Sequence, residues 1–530
     1  MLTTVLLPLL LGQTPSEPTY WQDVRPILRK HCTVCHSTKN LKEPDISGGL
    51  ALDSPDAVLK GMESGPVVRK GEGADSLLVK ALVTANVKRR MPLDAPPLPK
   101  ETIDVVRRWI DGGTKEGKRS DDASDTPKAA ANRRLLDVTF PTNAQPPAGV
   151  FGKTAPGKLS IALKIGPLAP IAAVAFSPND KLLAAGSYGQ AAIWDLEHDK
   201  PVKVLTNVLG AVNDLKFSRD GALLAVAGGQ PSAKGDLRLY QTSDWKLVGV
   251  LRGHDDVVFS VAFSPDGKEL ASASFDHTVR VWKVADQSLV QTFKNHSDFV
   301  YAIAFDPSGP FLFSASKDRT VQMLDRATTK SKFTFSGVDQ DVMAVAVRPD
   351  GKSIVSAGFD SGIQWWNTQT GEKLKTSPGH GIAVHELVFS KDGSKLLSAG
   401  ADRTAKIHDG VAGTLLKTLP VGSPVYAIAI SGNKKIVATG SFDGMTRLWD
   451  EATGRQLASL YARGGESLDW LAVTPEGYAS GSPAFVKDSR WLMGAATLPS
   501  EGLWASLGKA DLVAKAMHGE AVPNPTFEKK

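Results

Sequence analysis

The spacing of hydrophobic residues changes along the chain. Near the N-terminus, in residues 21–31 and 101–111, apolar residues recur every three or four positions, and this spacing predicts short amphipathic helices. From residue 171 onward, short apolar runs of strand length alternate with turns rich in Gly, Asp, Asn and Pro. Because 530 residues exceed the usual length of one domain, the two patterns predict a small helical domain followed by a larger β domain.

Both predicted helices carry signals at their ends. Residues 21–31 have Asp23 as a possible N-cap, and residues 101–111 have acidic residues early, arginines late and a stop at Gly112 and Gly113. Trp109 lies in the second helix, where a large aromatic side chain usually packs in the core. We therefore expect two short amphipathic helices, the first of which ends at residues 32–36.

In the β region, an apolar strand that ends before a turn recurs seven times. The anchor residues of these strands are Phe176, Phe217, Phe263, Phe305, Val347, Phe389 and Ile430. Successive anchors are 41, 46, 42, 42, 42 and 41 residues apart, Gly-His occurs at 253–254 and 379–380, and Trp-Asp occurs at 194–195 and 449–450. This region resembles the WD-repeat β-propeller family. The resemblance implies seven blades, with an eighth, partial blade as the alternative.

A second regularity links an Asp in a turn to a Trp-type position six residues later. The pairs are Asp276 and Trp282, Asp318 and Leu324, Asp360 and Trp366, Asp402 and His408, and Asp443 and Trp449. The resemblance implies that such an Asp joins a His, a Ser or Thr and the Trp in a hydrogen-bonded set that fixes each blade. His254, Asp276 and Trp282 match most fully, with Ser272 or Ser274 between them. The first two repeats lack the set, so we expect them to rely on packing.

Two segments are candidates to complete the last blade. Residues 158–165 could add an N-terminal strand to it, or residues 456–460 could close it unaided. Farther on, residues 469–483 resemble a hairpin that follows propellers in bacterial WD-repeat proteins, and residues 509–518 predict a short helix.

The only two cysteines of the chain are Cys32 and Cys35, and His36 follows directly. Two thiols separated by two residues lie on one turn and reach one edge of a porphyrin, while the adjoining imidazole reaches the iron. The spacing therefore predicts one covalently attached haem c, with Cys32 and Cys35 as thioethers and His36 as an iron ligand.

Three other functions are open to such a cysteine pair. Structural zinc needs four ligands, and the chain has no second Cys pair. A redox dithiol of the thioredoxin type belongs in a βαβ setting, which the flanking residues do not indicate. A disulfide across two residues would be strained and easily reduced. Haem is the favoured interpretation, with a metal site or a redox dithiol as the alternatives.

A thioether in the second axial position would keep the haem iron low-spin and raise its potential. Met62 and Met91 are the methionines near the motif. Met91 precedes Pro92 in a proline-rich run too stiff to be helical, which can hold a sulfur in place. Met62 is preceded by Gly61 in a flexible turn, and we expect it to be a surface or packing residue. Met91 is therefore the predicted ligand.

Residues 20–113 resemble the small cytochrome c-like domain of planctomycete-type bacteria. The segments that carry the resemblance are 23–28, 32–36, 49–53, 64–66, 76–78, 90–92 and 108–113. The resemblance implies that the two cysteines of the motif form the thioethers, that His36 is the proximal ligand and that Met91 is the distal ligand. Pro99 departs from the family, which usually has Ser or a similar cap before the last helix, so the start of that helix is open.

Export is expected because haem is attached to such thiols outside the cytoplasm. Residues 2–11 form an apolar run too short to span a bilayer, which predicts a signal peptide over residues 1–13. No Lys or Arg precedes this run, so an ordinary N-terminus is the alternative. No other stretch reaches membrane-spanning length. We expect a periplasmic or otherwise extracytoplasmic protein without a transmembrane segment.

These features predict a multidomain fold, with a small all-α cytochrome c-like domain followed by an all-β, seven-bladed WD-repeat propeller. The predicted boundaries are 1–13 for the signal peptide, 14–113 for the haem domain, 114–157 for a polar, proline-rich linker, 158–462 for the propeller and 463–530 for a C-terminal hairpin and tail. Within the linker, residues 133–140 could form a strand docked on one domain.

Charge and motif content narrow the function. The net charge of +6 is modest and is spread without a long basic run, so we expect no nucleic-acid partner. His254, His296 and His380 occupy equivalent turns, where a structural hydrogen bond is expected rather than a metal. We find no nucleophile elbow, phosphate-binding glycine loop or paired catalytic carboxylates in the sequence.

The leading hypothesis is an extracytoplasmic c-type cytochrome that carries one electron, with a propeller that docks a protein redox partner or complex. It describes an electron carrier and binding protein rather than an enzyme. One alternative is an oxidoreductase with a substrate site in the propeller. Another is an interaction scaffold whose haem is sensory or vestigial.

Overall fold

A computed structural model describes residues 17–32, 36, 38, 41, 49–84, 86, 91, 98–117, 136–147, 150–151, 157–336, 339–360, 362–464 and 467–527. The chain divides into two compact units, Met1–Arg133 and Arg134–Lys530. The predicted signal peptide and much of the predicted linker lie outside the described residues. Each unit is described by itself.

The described part of the first unit is helical. It contains a π-helical turn, Tyr20–Val24, followed by α1 Arg25–His31, α2 Pro55–Lys60, α3 Leu77–Val83 and α4 Lys100–Asp111. Asp23 lies inside the first helical turn, where its carboxylate accepts the Thr19 backbone N–H at 2.8 Å. The prediction that Asp23 is the N-cap is therefore wrong, because the chain turns helical at Tyr20, ahead of that residue.

Helix α4 confirms the second predicted helix and resolves the question raised by Pro99. The carbonyl of Pro99 accepts the N–H groups of Thr102 at 3.0 Å and Ile103 at 3.1 Å, so a backbone oxygen begins the helix without a side-chain cap. Gly113, with φ of 83°, ends it in a conformation that favours glycine. Trp109 is fully buried, as predicted, and its indole N–H donates to the Lys115 carbonyl at 2.9 Å.

The second unit is built mostly of antiparallel sheets. Four repeats, the third to the sixth, each form one sheet of four strands. The third and fourth repeats contain β10 Val258–Phe263, β11 Glu269–Ser274, β12 Val279–Lys283 and β13 Leu289–Phe293, and then β14 Val300–Phe305, β15 Phe311–Ser316, β16 Val321–Asp325 and β17 Ser331–Phe335. The fifth and sixth repeats contain β18 Val342–Val347, β19 Ser353–Gly358, β20 Gly362–Asn367 and β21 Lys373–Pro378, and then β22 Val384–Phe389, β23 Lys395–Gly400, β24 Thr404–Asp409 and β25 Leu415–Pro420. These sheets follow the predicted repeats, and their first strands end at the predicted anchors.

The first two repeats share one sheet, and the last repeat belongs to an extended one. The first sheet contains β3 Ala173–Phe176, β4 Leu182–Asp195, β5 Lys200–Ala211, β6 Asp214–Phe217, β7 Leu223–Gln230, β8 Lys234–Gln241 and β9 Leu247–Val250. The last contains β26 Val425–Ile430, β27 Ile436–Ser441, β28 Thr446–Asp450, β29 Gln456–Arg463, β30 Asp469–Val473 and β31 Ala479–Gly481. Gly210 and Gly229 join β5 to β7 in a parallel bridge. A Cβ on Gly210 would lie 1.9 Å from the Gly229 oxygen, so only glycine fits there.

The first strands of the repeats pack against one another in chain order. Contacts join β3 to β6, β6 to β10, β10 to β14, β14 to β18, β18 to β22 and β22 to β26, and β26 packs against β3. Between the first and last repeats, Asp180 accepts the N–H groups of Gly432 at 2.5 Å and Asn433 at 2.9 Å, and Ile171 N–H donates to the Ser441 carbonyl at 3.1 Å. Residues 252 positions apart are thereby joined directly.

A further sheet lies outside the repeats and contains β1 Leu136–Pro141, β2 Leu159–Gly166, β32 Arg490–Met493 and β33 Ala496–Leu498. Strand β2 pairs with β1 and β32, so the prediction that residues 158–165 complete the last blade is wrong. Strand β29 pairs with β28 instead, as the alternative expected. The core contacts of β2 with residues more than 300 positions away decide its partner, and local sequence does not encode them.

The C-terminal predictions fit the structure. Strands β30 and β31 form the expected antiparallel hairpin and extend the sheet from β29. Helices α5 Pro483–Asp488, α6 Ser500–Leu507 and α7 Ala510–Met517 follow, and α7 corresponds to the helix predicted over 509–518. Strand β1 lies in the interval predicted as linker, where a docked strand was expected. In the described part of the chain, no helix is long and apolar enough to cross a membrane.

Candidate functional site

The Cys-x-x-Cys-His segment begins where α1 ends. Cys32 is the C-cap of α1, its backbone N–H donates to the Leu28 carbonyl at 2.7 Å, and its side chain is buried. The backbone N–H of His36 donates to the Cys32 carbonyl at 2.9 Å, which closes one turn between them. The carbonyl of His36 in turn accepts the Leu52 N–H at 2.7 Å. The backbone thus holds Cys32 and His36 one turn apart, while Cys35 lies outside the described residues.

Cys32 belongs to the apolar core of the first unit. The buried members of that core include Tyr20, Val24, Leu28, Leu50, Leu52, Val58, Val67, Val68, Leu78, Val79, Val106, Trp109 and Ile110. Tyr20 packs within this core. Its hydroxyl donates to the Leu52 carbonyl at 3.0 Å, and its ring centroid lies 5.8 Å from that of Trp109. Burial raises the pKa of the Tyr20 phenol, so Tyr20 remains a protonated donor. The thiol of Cys32 therefore lies in apolar surroundings.

The two candidate methionines have different settings. Met91 is half-buried, and its backbone N–H donates to the Ala81 carbonyl at 2.8 Å, which ties it to the last turns of α3. Met62 exchanges backbone hydrogen bonds with Gly65, both at 3.0 Å, and packs against the apolar core. Met62 thus has the packing contacts expected of it. The assignment of Met91 as an iron ligand stays a prediction, and its neighbours at 87–90 and 92–97 lie outside the described residues.

These residues fit a covalently attached haem by their chemistry. A thiol at the edge of an apolar core, an imidazole-bearing residue one turn later and a thioether tethered to α3 supply the donor types that a haem c needs. The apolar surroundings match a macrocycle that has to be kept from water. The donor set therefore agrees with the haem prediction.

The third repeat contains the hydrogen-bonded set that its sequence predicts. His254 Nδ1 lies 2.7 Å from Asp276 Oδ2, His254 Nε2 lies 2.7 Å from Ser272 Oγ, and the Trp282 indole N–H donates to the same Ser272 oxygen at 2.8 Å. The Ser partner is thus Ser272, while Ser274 donates to the Asp256 carbonyl. Hydrogen bonds from His254 and Thr278 lower the pKa of Asp276 despite its burial, so Asp276 is a charged acceptor.

The same arrangement recurs in other repeats with changes at the Trp position. In the fourth repeat, His296 lies 2.7 Å from both Asp318 and Ser314, and the apolar Leu324 takes the Trp position. In the sixth repeat, His380 lies 2.8 Å from both Asp402 and Ser398. The structural role predicted for His254, His296 and His380 is confirmed by these contacts.

The second repeat differs from the prediction that it relies on packing alone. Asp236 and Arg238 form an ion pair at 2.8 Å whose side chains are 3% and 0% exposed. Asp236 also accepts the Leu209 backbone N–H at 2.9 Å, and the Arg238 guanidinium approaches the Tyr240 hydroxyl at 3.5 Å. A buried ion pair therefore takes the place of the missing set, and that prediction is wrong for this repeat. An Asp and an Arg two positions apart within an apolar strand were the sequence signal that could have predicted this ion pair.

A cavity of about 620 Å³ is lined by strands from all the repeats. Among the charged residues that line it, three lie on strands and were not singled out by sequence analysis, namely Asp214, Lys216 and Glu386. Lys216 Nζ lies 2.8 Å from Asp214 Oδ1 and 3.7 Å from Glu386 Oε1. Asp214 and Lys216 are on β6 and Glu386 is on β22, so two separate sheets contribute to one charged group.

Comparison with known families matches both parts of the chain. The family described as Planctomycete cytochrome C matches residues 32–94, which include the Cys-x-x-Cys-His segment and Met91. The family described as WD domain, G-beta repeat matches residues 162–195, 245–283, 287–325, 329–367, 371–409 and 413–450. Residues 196–244, which include Asp236 and Arg238, fall outside these matches.

Individual relatives resemble short parts of the chain. WD repeat and SOCS box-containing protein 1 of Homo sapiens is 35% identical over 106 residues, which are 20% of this chain and 24% of that protein. Intraflagellar transport protein 122 homolog of Homo sapiens is 43% identical over 68 residues, which are 13% of this chain and 5% of that protein. WD repeat-containing protein VIP3 of Arabidopsis thaliana is 29% identical over 123 residues, which are 21% of this chain and 37% of that protein.

The chain thus spans well under half the length of each of these relatives. The two family matches cover different segments, one in each compact unit of the chain. The protein is therefore a fusion of a planctomycete-type cytochrome c domain with a series of WD repeats.

Proposed function

We propose that this protein is an extracytoplasmic c-type cytochrome whose WD repeats dock a protein partner. The observation that carries the proposal is the Cys32, Cys35 and His36 motif at the end of α1, inside a segment that matches a cytochrome c family. Cys32 and Cys35 would form the thioether bonds, and His36 and Met91 would be the axial ligands. When bound, the haem supplies a one-electron Fe(III)/Fe(II) couple.

The residues of the chain hold the motif and keep water away from it. The hydrogen bonds from His36 N–H to Cys32 and from Leu52 N–H to His36 fix the backbone of the motif against the loop that follows. The core around Tyr20 and Trp109 gives that backbone a rigid support and an apolar neighbourhood. A rigid support reduces the rearrangement that accompanies a change of charge, which suits electron transfer.

A measurement of covalent haem tests this proposal. The full chain is expressed with haem-attachment machinery in an exporting host, and the reduced visible spectrum is recorded after denaturation and acid-acetone extraction. We expect the haem signal to stay with the protein, and to be lost when Cys32 and Cys35 are both replaced by Ser. His31→Ala is the matched control for His36→Ala. Only His36→Ala should abolish the low-spin spectrum, because His36 is the proposed iron ligand and His31 is not. Complete extraction of the colour from the wild type would refute covalent attachment.

Export is part of the proposal and has its own test. The apolar run at residues 2–11 supports a signal peptide, and covalent haem requires attachment outside the cytoplasm. Replacing Leu6 and Leu9 with Arg should keep the protein in the cytoplasm and without haem, whereas Ser16→Arg should leave export unchanged. Fractionation of the host followed by haem staining measures both. Haem on the cytoplasmic variant would contradict the proposed route.

We also infer that the repeats form a closed, seven-bladed ring. Seven first strands that pack in chain order, together with the packing of β26 on β3, support this inference. Electron microscopy of the purified chain should give end-on views with seven-fold pseudo-symmetry. Views of an open arc, or of eight blades, would contradict it.

The docking of a partner through the repeats is supported by exposed aromatic side chains in equivalent turns. Phe359 and Phe442 follow the second strands of their repeats and are 51% and 55% exposed. Replacing both with Ser should slow electron exchange with an extracytoplasmic extract of the native host at least several-fold. The matched change of Val411, exposed in the turn after a third strand, and Leu415, exposed at the start of the next strand, should not. Equal rates for the two variants would place the docking surface elsewhere.

A further inference from the structure

The cavity among the first strands has the size of a small-molecule site and an unusual wall. Its volume of about 620 Å³ is within the range of pockets that hold small ligands. Nine of the residues that line it are alanines, namely Ala172, Ala173, Ala175, Ala262, Ala302, Ala304, Ala344, Ala346 and Ala429. Small side chains at these positions keep the space open.

Three charged side chains on strands β6 and β22 line the cavity beside these alanines. The Asp214 carboxylate is held by the Val261 N–H at 2.9 Å, the Ser260 hydroxyl at 3.0 Å and the Lys216 ammonium at 2.8 Å. Both carboxylate oxygens of Asp214 therefore have hydrogen-bond donors, and Asp214 and Lys216 form an ion pair without net charge.

The Glu386 carboxylate has fewer hydrogen-bond donors than the Asp214 carboxylate. Its Oε2 accepts the Ile428 backbone N–H at 2.8 Å. Its Oε1 lies 3.7 Å from Lys216 Nζ, which is too far for a direct hydrogen bond. The Glu386 side chain is 23% exposed, and it faces the cavity. One carboxylate oxygen with free hydrogen-bonding capacity thus faces the cavity.

The charges that face this space do not cancel. Two carboxylates, Asp214 and Glu386, face one ammonium, Lys216. His385 also lines the cavity, but burial lowers its pKa to about 4, so it is neutral. Lys391 lines it beyond the end of β22, where the side chain is exposed to solvent. When Glu386 is ionised, the interior therefore holds one uncompensated negative charge.

One level of the wall is aromatic. Phe259, Tyr301, His385 and Tyr426 occupy the same position of their repeats, four residues before the anchor, and all line the cavity. The rings of His385 and Tyr426 lie 4.9 Å apart, and those of Phe259 and Tyr301 lie 5.4 Å apart. The faces of such rings attract cations.

We propose that this cavity binds an organic cation with a single positive charge, such as a primary amine or a guanidinium, which donates a hydrogen bond to Glu386 Oε1. The cation balances the excess carboxylate, and the alanine wall and aromatic rings accommodate its apolar part. An anion would meet the uncompensated carboxylate, and a neutral alcohol would leave the charge unbalanced. The inference concerns the repeats alone and does not rest on the presence of haem.

A proton is exchanged for the bound cation. Desolvation, with a further contribution from Asp214, outweighs the attraction of Lys216 and raises the pKa of Glu386 to about 7. Near neutral pH, binding therefore converts the protonated Glu386 fraction to carboxylate and releases its proton to solvent. At pH 7 part of the carboxyl population is protonated, so binding of the cation should release a measurable fraction of a proton. At pH 9 almost none should leave.

Isothermal titration calorimetry of the full chain tests the proposal, with n-butylamine hydrochloride and ethylguanidinium chloride as probes and n-butanol as the neutral control. Titrations in two buffers of different ionisation enthalpy count the released protons. We expect saturable binding of the cations, weaker binding of butanol by at least tenfold, and proton release that falls from pH 7 to pH 9.

Variants separate this site from nonspecific binding. Glu386→Gln should weaken cation binding at least tenfold and abolish proton release, whereas Glu372→Gln, on an exposed turn, should change neither. Ala302→Leu fills part of the cavity and should also weaken cation binding. It gives a second test in case circular dichroism shows that Glu386→Gln folds poorly. Absence of saturation at millimolar probe, equal binding of butanol, or unchanged affinity in both cavity variants would overturn the proposal. The haem spectrum of the same samples reports on the proposed cytochrome function separately.

Discussion

His408 Nε2 lies 3.2 Å from Ser398 Oγ, in the place where the Trp282 indole contacts Ser272 in the third repeat. His380 Nδ1 faces the Asp402 carboxylate at 2.8 Å, so the Nδ1 of His380 carries a proton and its Nε2 accepts the Ser398 hydroxyl. The Ser398 oxygen is then free to accept a hydrogen bond from the N–H at His408 Nε2. His408 is therefore the neutral tautomer that imitates an indole N–H. Its Nδ1 is buried without a hydrogen-bond partner among the described residues.

The stability of the sixth repeat should depend on pH through His408. Burial lowers its pKa to about 4, below the value of about 6.5 in an unfolded chain. The unfolded state thus binds more protons between these values, and up to about 3 kcal/mol of stability is lost as the pH falls from 6.5 to 4. His408→Leu, which copies Leu324 of the fourth repeat, should remove this dependence. The free energy of unfolding of both proteins, measured by urea titration across that range, gives the difference.

A suitable control for this prediction is His277→Gln, because His277 lies on an exposed turn. This variant should keep the pH dependence of the wild type. Parallel pH dependences in wild type and His408→Leu would mean that His408 binds its proton over the same pH range in the folded protein as in the unfolded chain.

Ser272→Ala should destabilise the third repeat by about 2–4 kcal/mol, because it leaves two buried nitrogens, His254 Nε2 and Trp282 Nε1, without their shared partner. Ser288→Ala removes a hydroxyl from an exposed turn and should change stability by less than about 0.5 kcal/mol. Chemical denaturation of the two variants measures both effects. Similar midpoints would show that the hydrogen-bonded set adds little to the stability of the repeat.

The buried ion pair of the second repeat should respond more strongly to loss of one partner than to loss of both. Asp236→Asn leaves the buried Arg238 guanidinium without its counter-charge and should cost about 3–5 kcal/mol. Replacing Asp236 with Leu and Arg238 with Met together should cost less than the single change. Asp244→Asn breaks an exposed pair with Lys246 and should leave the unfolding midpoint unchanged. A double variant less stable than Asp236→Asn would contradict this account.

Met91→Leu should convert the reduced haem protein from low-spin to high-spin and lower its midpoint potential, because leucine cannot ligate iron. Met62→Leu is the matched control and should preserve both properties, since Met62 packs on the apolar core. Visible spectroscopy and potentiometric titration report the spin state and the potential. A low-spin spectrum with unchanged potential in Met91→Leu would show that another residue is the ligand.

Local sequence patterns predict those structural features that depend on contacts within one helix or one repeat. The three-and-four spacing in residues 101–111 gives α4 within one residue, because one helix face packs on one core. The interval from Asp276 to Trp282 predicts their shared set, because the repeat fixes the register between neighbouring strands. These predictions need only the geometry of one helix or one repeat.

Contacts between distant segments escape that kind of analysis. Strand β2 pairs with β32, more than 300 residues away, and nothing in residues 158–165 indicates that partner. Lys216 and Glu386 each look like an isolated polar residue within a strand, and only the packing of the sheets brings them to 3.7 Å. The Asp236 and Arg238 pair was missed for a different reason, since it replaces a motif instead of repeating it.

The contact of Asp180 with Gly432 and Asn433 sets an order of events during synthesis. A chain that emerges N-terminus first presents β3 early, but the backbone groups that Asp180 holds follow only 252 residues later. Through that interval β3 lacks the strand β26 that packs against it in the folded protein, and apolar surface left exposed in this way promotes association with other chains. Truncation before residue 432 would remove the backbone groups that Asp180 holds and leave the first repeat without this contact.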